Sequence, residues 1–259
     1  MSEFEIDLTE SFPLLGHAPI VEAVIEVRAR AEAPWEEQTI TEGLKAKLPG
    51  YFFVHSQQAM RFELKMGSGQ SNSQPEQSFH DLGWRGLRCE SEDKLHIAQF
   101  NRDGFVFSRL KPYEGWDQFQ REGLRLWRLY MELAQPVEIQ RLGLRFINRI
   151  PIPQEGSGLG DYLEAPPGKP REMDLPLSGF FHHDILTVPG YPYVINFIQT
   201  VQPPQGLETG GLILDIYVFT TQPFSLDQDV LEQHLAEMRW LKNKVFFGSI
   251  TQKALETLK

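Results

Sequence analysis

Along residues 19–30, Pro-Ile-Val-Glu-Ala-Val-Ile-Glu-Val-Arg-Ala-Arg, apolar and polar side chains alternate with a period of two. Val21, Ala23, Ile25, Val27 and Ala29 fall on one side, and Glu22, Glu26, Arg28 and Arg30 on the other. That period belongs to a pleated strand with one face in a core, so the pattern predicts a half-buried strand. Beyond Pro34 the spacing changes. Ile40, Leu44 and Leu48 recur every fourth residue and the run stops at Pro49-Gly50, which predicts a helix over 36–48. From Tyr51 to Leu110 the period returns to two, in Arg61-Phe-Glu-Leu-Lys, Trp84-Arg-Gly-Leu-Arg-Cys, Leu95-His-Ile-Ala-Gln-Phe and Phe105-Val-Phe-Ser-Arg-Leu. Ser91-Glu-Asp and Asn101-Arg-Asp-Gly are short-turn sequences, so this segment predicts an antiparallel meander. Residues 67–78, dominated by Gly, Ser, Gln and Asn, read as a mobile insertion between strands.

A second helix is predicted from Pro112 to just before Pro136. Trp116, Phe119, Gly123, Trp127, Tyr130 and Met131 share its stripe, with Arg121, Glu122, Arg125 and Arg128 largely outside it. The next strand, 139–150, contains Arg141-Leu-Gly-Leu-Arg-Phe-Ile-Asn-Arg149, which stacks Arg141, Arg145 and Arg149 on one face and Leu142, Leu144 and Phe146 on the other. Residues 151–178 form a long Pro- and Gly-rich connection with a short helical turn near 159–163, the best boundary between an N-terminal half, 1–136, and a C-terminal half, 137–259. Strands are expected near 180–188, 192–202 and 211–220. A helix introduced by Ser225 or Asp227 follows, its buried stripe formed by Val230, Leu231, His234, Leu235, Met238, Leu241 and Val245. A short helix from Ser249 or Thr251 to Leu258 ends the chain.

Each half thus reads as strand, helix or loop, meander, long helix. The fold expected is α+β, an antiparallel sheet backed by long helices, with an internal duplication that makes strands 19–30 and 139–150 equivalent and packs the halves as one compact unit. Only two long helices are available, so one sheet face is expected to stay partly open.

Composition narrows the partners. A 41% hydrophobic, 23% charged chain is ordinary for a globular protein. A net charge of −10 argues against a general nucleic-acid or anionic-membrane surface, which needs a basic field. The one cysteine, Cys89, excludes an intrachain disulfide and a cysteine-cluster zinc site, and reads as a small strand residue in a reducing cytoplasm. The start, Met-Ser-Glu-Phe-Glu-Ile-Asp, lacks the basic and apolar regions of a secretory signal. No run approaches the roughly 18 apolar residues of a membrane span. The expectation is a soluble, cytoplasmic protein.

The arginine strand raises the main chemical question. Three guanidiniums on one face either meet carboxylates within the protein or hold an anion. Glu22 and Glu26, on a neighbouring or symmetry-related strand, are the expected charge-network partners, and the simpler reading is an ion-pair ladder. The alternative is an anion site at Arg141, Arg145 and Arg149 with Arg145 deepest. Asp215 interrupts the apolar run Leu212-Ile-Leu-Asp-Ile-Tyr-Val-Phe219, so it is expected to meet a specific donor, an arginine of this face first of all. His182-His183 are strand neighbours pointing to opposite faces and do not chelate one metal, and His234 reads as a hydrogen-bonded core residue. No zinc-protease, Cys-x-x-Cys, nucleophile-elbow or phosphate-loop pattern occurs, and Gly156-Ser-Gly-Leu-Gly160 reads as linker. No catalytic residue, metal or cofactor is expected.

The runs Pro19-Ile-Val-Glu-Ala-Val-Ile-Glu-Val-Arg28, Phe107-Ser-Arg-Leu-Lys-Pro-Tyr-Glu-Gly-Trp116, Arg141-Leu-Gly-Leu-Arg-Phe-Ile-Asn-Arg-Ile150 and Asn243-Lys-Val-Phe-Phe-Gly-Ser-Ile-Thr251 together resemble a sporadically distributed family of uncharacterised bacterial proteins of similar length. The resemblance spans nearly the whole chain and implies no active site. Patchy distribution of this kind goes with mobile elements and defence loci, an association rather than a mechanism.

The leading functional expectation is therefore a non-enzymatic binding or regulatory protein, such as a partner-neutralising component of a bacterial defence or toxin system, its acidic surface matched to a basic protein. The alternative is a small-anion or nucleotide sensor using the arginine face. An enzyme in which Asp215, Glu22 and Glu26 converge on a cleft ranks third. A protein partner or a small anionic ligand fits this reading, and a homo-oligomer is compatible with it.

Overall fold

Strands joined by short turns pair locally and antiparallel, and the alternating segments do so throughout this chain. The computed structural model describes residues 4–65, 76–152, 158–168, 177–204 and 209–259. In chain order these form β1 (Ile20–Arg28), α1 (Glu37–Lys47), β2 (Tyr51–Lys65), β3 (Glu76–Ser91), β4 (His96–Asn101), β5 (Gly104–Leu110) and α2 (Trp116–Ala134). β6 (Arg141–Pro151), a 3-10 turn (Leu159–Asp161), β7 (Phe181–Thr187), β8 (Tyr193–Gln202), β9 (Gly211–Thr220), α3 (Gln228–Ser249) and α4 (Gln252–Glu256) follow. The strands make one nine-stranded sheet in the order β2-β3-β4-β5-β1-β6-β9-β8-β7, every neighbouring pair antiparallel. The fold is α+β, and the sheet runs unbroken across the connection at 151–178. Most of the Gly-rich stretch 67–78 lies outside the described residues, and Glu76 to Ser78 belong to β3.

The central seam is the β1–β6 pair, where Ala23 lies opposite Phe146, Ile25 opposite Leu144 and Val27 opposite Leu142. These residues and Phe105, Phe107, Leu214, Ile216 and Val218 are buried on one face. Against that face Phe119 of α2 stacks on Phe107 at 5.4 Å and meets Phe146 edge-on at 6.0 Å. Gly123 lets α2 come close, since a Cβ there would lie 2.8 Å from Ile25 Cδ1. Gly104, at φ +153, turns β4 into β5 where a Cβ would strike the Val27 carbonyl at 2.2 Å. The opposite face carries Glu22, Glu26, Arg141, Arg145, Arg149, Asp215 and Tyr217, as the period-two register demands.

The α2 helix begins at Trp116 rather than Pro112. Buried Arg109 holds the intervening residues as a loop: it donates to the Pro112 carbonyl at 3.0 Å and pairs with Glu114 at 3.1 Å. These long-range contacts outweigh local helix propensity.

Candidate functional site

The arginine strand occupies the middle of the sheet, and its guanidiniums are engaged. Arg145 forks onto Asp215, Nε to Oδ1 at 2.8 Å and Nη2 to Oδ2 at 2.5 Å. The hydrogen bond to Asp215 holds the Arg145 guanidinium above its ordinary range. Arg141 donates to the Tyr217 hydroxyl at 2.7 Å and lies 4.2 Å from the Phe219 ring centre. The Tyr217 hydroxyl in turn donates to Glu26 at 2.7 Å, and Glu26 pairs with Arg28 at 3.1 Å. Burial, then the Glu26 charge, push the Tyr217 hydroxyl up, so it stays protonated as a donor. Arg149 donates to Gln202 at 2.8 Å and to the Thr209 carbonyl. Two glycines make room: a Cβ on Gly143 would meet the Tyr217 ring at 2.6 Å, and one on Gly211 the Arg149 side chain at 2.9 Å.

The network therefore runs through Asp215, Tyr217 and Glu26. Glu22 lies opposite Ile147 and forms no ion pair among the described residues. Arg145 is not the deepest of the three arginines but the most open: its side chain is 44% exposed, against 11% for Asp215. The strand places its Cα centrally, but the carboxylate it serves lies beneath it. An anion arriving at Arg145 has to displace an internal bidentate carboxylate.

A different cation is left over. Between the N-terminal segment, the start of α2, β6 and α3 lies a cavity of about 550 Å³. Lys242, half-buried on α3, stands on its wall with Nζ 4.2 Å from the Phe146 ring centre. Arg239, one turn earlier, lies 5.2 Å from the Trp116 ring centre. Neither cation has an ion-pair partner among the described residues. Burial, then the positive charge of Arg239, push the Lys242 amine down to about 7, while the ring face beneath it favours the ammonium. Asn148 and Tyr113 line the same space, and burial pushes the Tyr113 hydroxyl up.

The N-terminal segment closes the cavity by anchors spread along its length. Glu10 accepts from Trp240 Nε1 and from Lys244 Nζ, both at 2.9 Å, and Phe12 stacks on Phe247 at 5.5 Å. The His17 backbone N–H donates to the Leu258 carbonyl at 2.9 Å. The carboxylates on the cavity wall are thus committed elsewhere, Glu10 to Trp240 and Lys244, Glu114 to Arg109. The wall combines the positive charge of Arg239 and a titratable amine at Lys242 with aromatic surface, which suits an anion carrying an apolar body.

Sequence reasoning passed over Lys242 and Arg239. One signal was present: Lys242 sits four residues after Met238 and four before Phe246, in the same row of the helix, where a cation between two core residues is out of place.

The remaining candidates are quieter. His182 pairs with Asp184 at 3.1 Å on exposed β7, and His234 Nδ1 lies 2.5 Å from the Tyr193 hydroxyl, which donates to Glu237, beneath Phe224. Burial pushes the Cys89 thiol up to about 12, which leaves it without thiolate character. Among the described residues no three His, Cys, Asp or Glu are grouped as metal ligands. No helix among them is long and apolar enough to cross a membrane. Compared with known proteins, the chain matches no family model, no curated protein and no solved structure.

Proposed function

We propose that this chain is a non-enzymatic binding protein whose ligand is a small anion with an apolar body, held in the cavity beside Lys242. The observation that carries the reading is Lys242 itself, a half-buried amine on a cavity wall with no carboxylate among the described residues to neutralise it. Drawing an amine out of water is costly, the group answers by shedding its proton or taking a counter-ion, and a strongly perturbed amine in a cleft is a candidate functional group. The small-anion reading thus rests on Lys242 and Arg239 rather than on Arg141, Arg145 and Arg149. A thermal-shift panel of phosphate, aliphatic carboxylates and aryl carboxylates tests it. A bound carboxylate at 100 times its Kd stabilises by roughly 2.7 kcal/mol. Lys242→Met should abolish that shift and Arg145→Ala should leave it; no shift across the panel removes the reading.

The proposal includes an internal duplication. It is supported by the mirrored strand order about the seam, β3-β4-β5-β1 on one side and β7-β8-β9-β6 on the other, each half ending in a long helix. A cytoplasmic location belongs to the same reading, supported by a buried free thiol at Cys89.

A second reading, neutralisation of a basic protein partner, is favoured by the edge strand β7, where Phe181 is 70% and Ile185 66% exposed. A stoichiometric complex from the native host that is lost in Ile185→Asp supports it. A clean monomer or homo-oligomer at native expression counts against it.

A further inference from the structure

We propose that Lys242 captures its ligand covalently, as a reversible imine with the carbonyl group of an oxo acid whose carboxylate is held by Arg239. The inference rests on the anion-cavity reading and adds one bond to it. A lysine becomes nucleophilic when it is desolvated in an apolar site or set beside a second cation, and Lys242 meets both conditions. The Phe146 ring lies under its amine, and Arg239 is one helical turn away. Among the described residues no carboxylate pairs with the amine to hold its proton. At neutral pH a large share of such an amine is unprotonated, which an exposed lysine is not.

Two cations at i and i+3 on one helix face stand about 5–6 Å apart at Cβ. That spacing suits the adjacent carboxylate and carbonyl of a 2-oxo acid, one group to each side chain. The aromatic wall of Trp116, Phe12 and Phe247 takes the apolar remainder. In the step itself the amine lone pair attacks the carbonyl carbon, forming the C–N bond, and a proton passes from nitrogen to oxygen to give a carbinolamine. Loss of that oxygen as water leaves the imine. Amine and ketone become imine and water, with no oxidation or reduction. The Tyr113 hydroxyl, kept protonated by burial, is a proton donor on the same wall.

The test incubates the full chain with phenylpyruvate or glyoxylate, reduces with cyanoborohydride and maps adducts by peptide mass spectrometry. Phenyllactate and glycolate, which lack the carbonyl, serve as controls in a parallel thermal-shift series. The expected result is one dominant adduct at Lys242, at least tenfold over any other lysine, lost in Lys242→Met and reduced in Arg239→Gln. Lys242→Arg should keep the shift from phenyllactate and lose the adduct. Stabilisation by both phenylpyruvate and phenyllactate without an adduct at Lys242 overturns the covalent step and leaves the binding reading standing. Equal labelling across surface lysines overturns the covalent step as well. No shift and no adduct removes both readings.

Discussion

Asp215 and Lys242 present the same problem, a charge drawn out of water, with opposite solutions. Asp215 has its guanidinium within the chain, so removing Arg145 strands a carboxylate that is only 8% exposed. Breaking a fully buried pair costs about 3–5 kcal/mol, and the openness of Arg145 discounts this to about 1–3 kcal/mol. Urea unfolding of Arg145→Ala should show a loss of that size, partly recovered in Arg145→Ala/Asp215→Asn. Equal stability of Arg145→Ala and the parent chain would deny the pair its structural role. Lys242 has no such partner among the described residues, and its pH dependence should show it. Its folded pKa, about 7, lies below the ordinary lysine value of 10.5, so above pH 7 the unfolded chain binds more protons than the folded one. Stability then rises with pH through this window, by at most about 1.4 kcal/mol per pH unit from this group. Between pH 7 and 8.5 the rise should flatten in Lys242→Met; an identical slope in both proteins would contradict it.

At the scale of elements, what local pattern controls was readable and what distant contacts control was not. The start of α3 is of the first kind. Asp227 accepts from the backbone N–H groups of Asp229 at 2.8 Å and Val230 at 3.3 Å, and Thr251 caps α4 in the same way. Asp227→Ala should cost about 1 kcal/mol, as lost N-caps do, measured as a lower denaturation midpoint without a change in slope. The strands of both meanders fell out of alternation because register and burial share the period of two. The start of α2 did not, because Arg109 reaches forward to hold the Pro112 carbonyl and Glu114. The far face of α3 did not either. Trp240 and Phe246 are buried there while Val230, His234 and Val245 are half-buried, since Phe4, Glu10 and Phe12 reach the helix from the other end of the chain. No periodicity within α3 encodes a strap more than 200 residues away.

On the scale of the whole molecule, the β1–β6 pair joins what the sequence separates into halves, and the arginine network and the Lys242 cavity lie on opposite faces of that seam. The alternation of 139–150 pointed to one face, the arginines, because three like charges in period are conspicuous. The other face of the same strand, Phe146 and Asn148, forms the floor of the cavity, and its partners arrive from the N-terminus and α3. That convergence exists only after folding, which is why the cavity was not legible while the alignment of the three arginines on one face was. The central claim is that the cavity, not the arginine face, receives the anion. Isothermal titration of the full chain with phenyllactate tests it most directly. One saturable site per chain is predicted, weakened at least tenfold in Lys242→Met and unchanged in Arg145→Ala. Binding that survives Lys242→Met and is lost in Arg145→Ala would contradict the account.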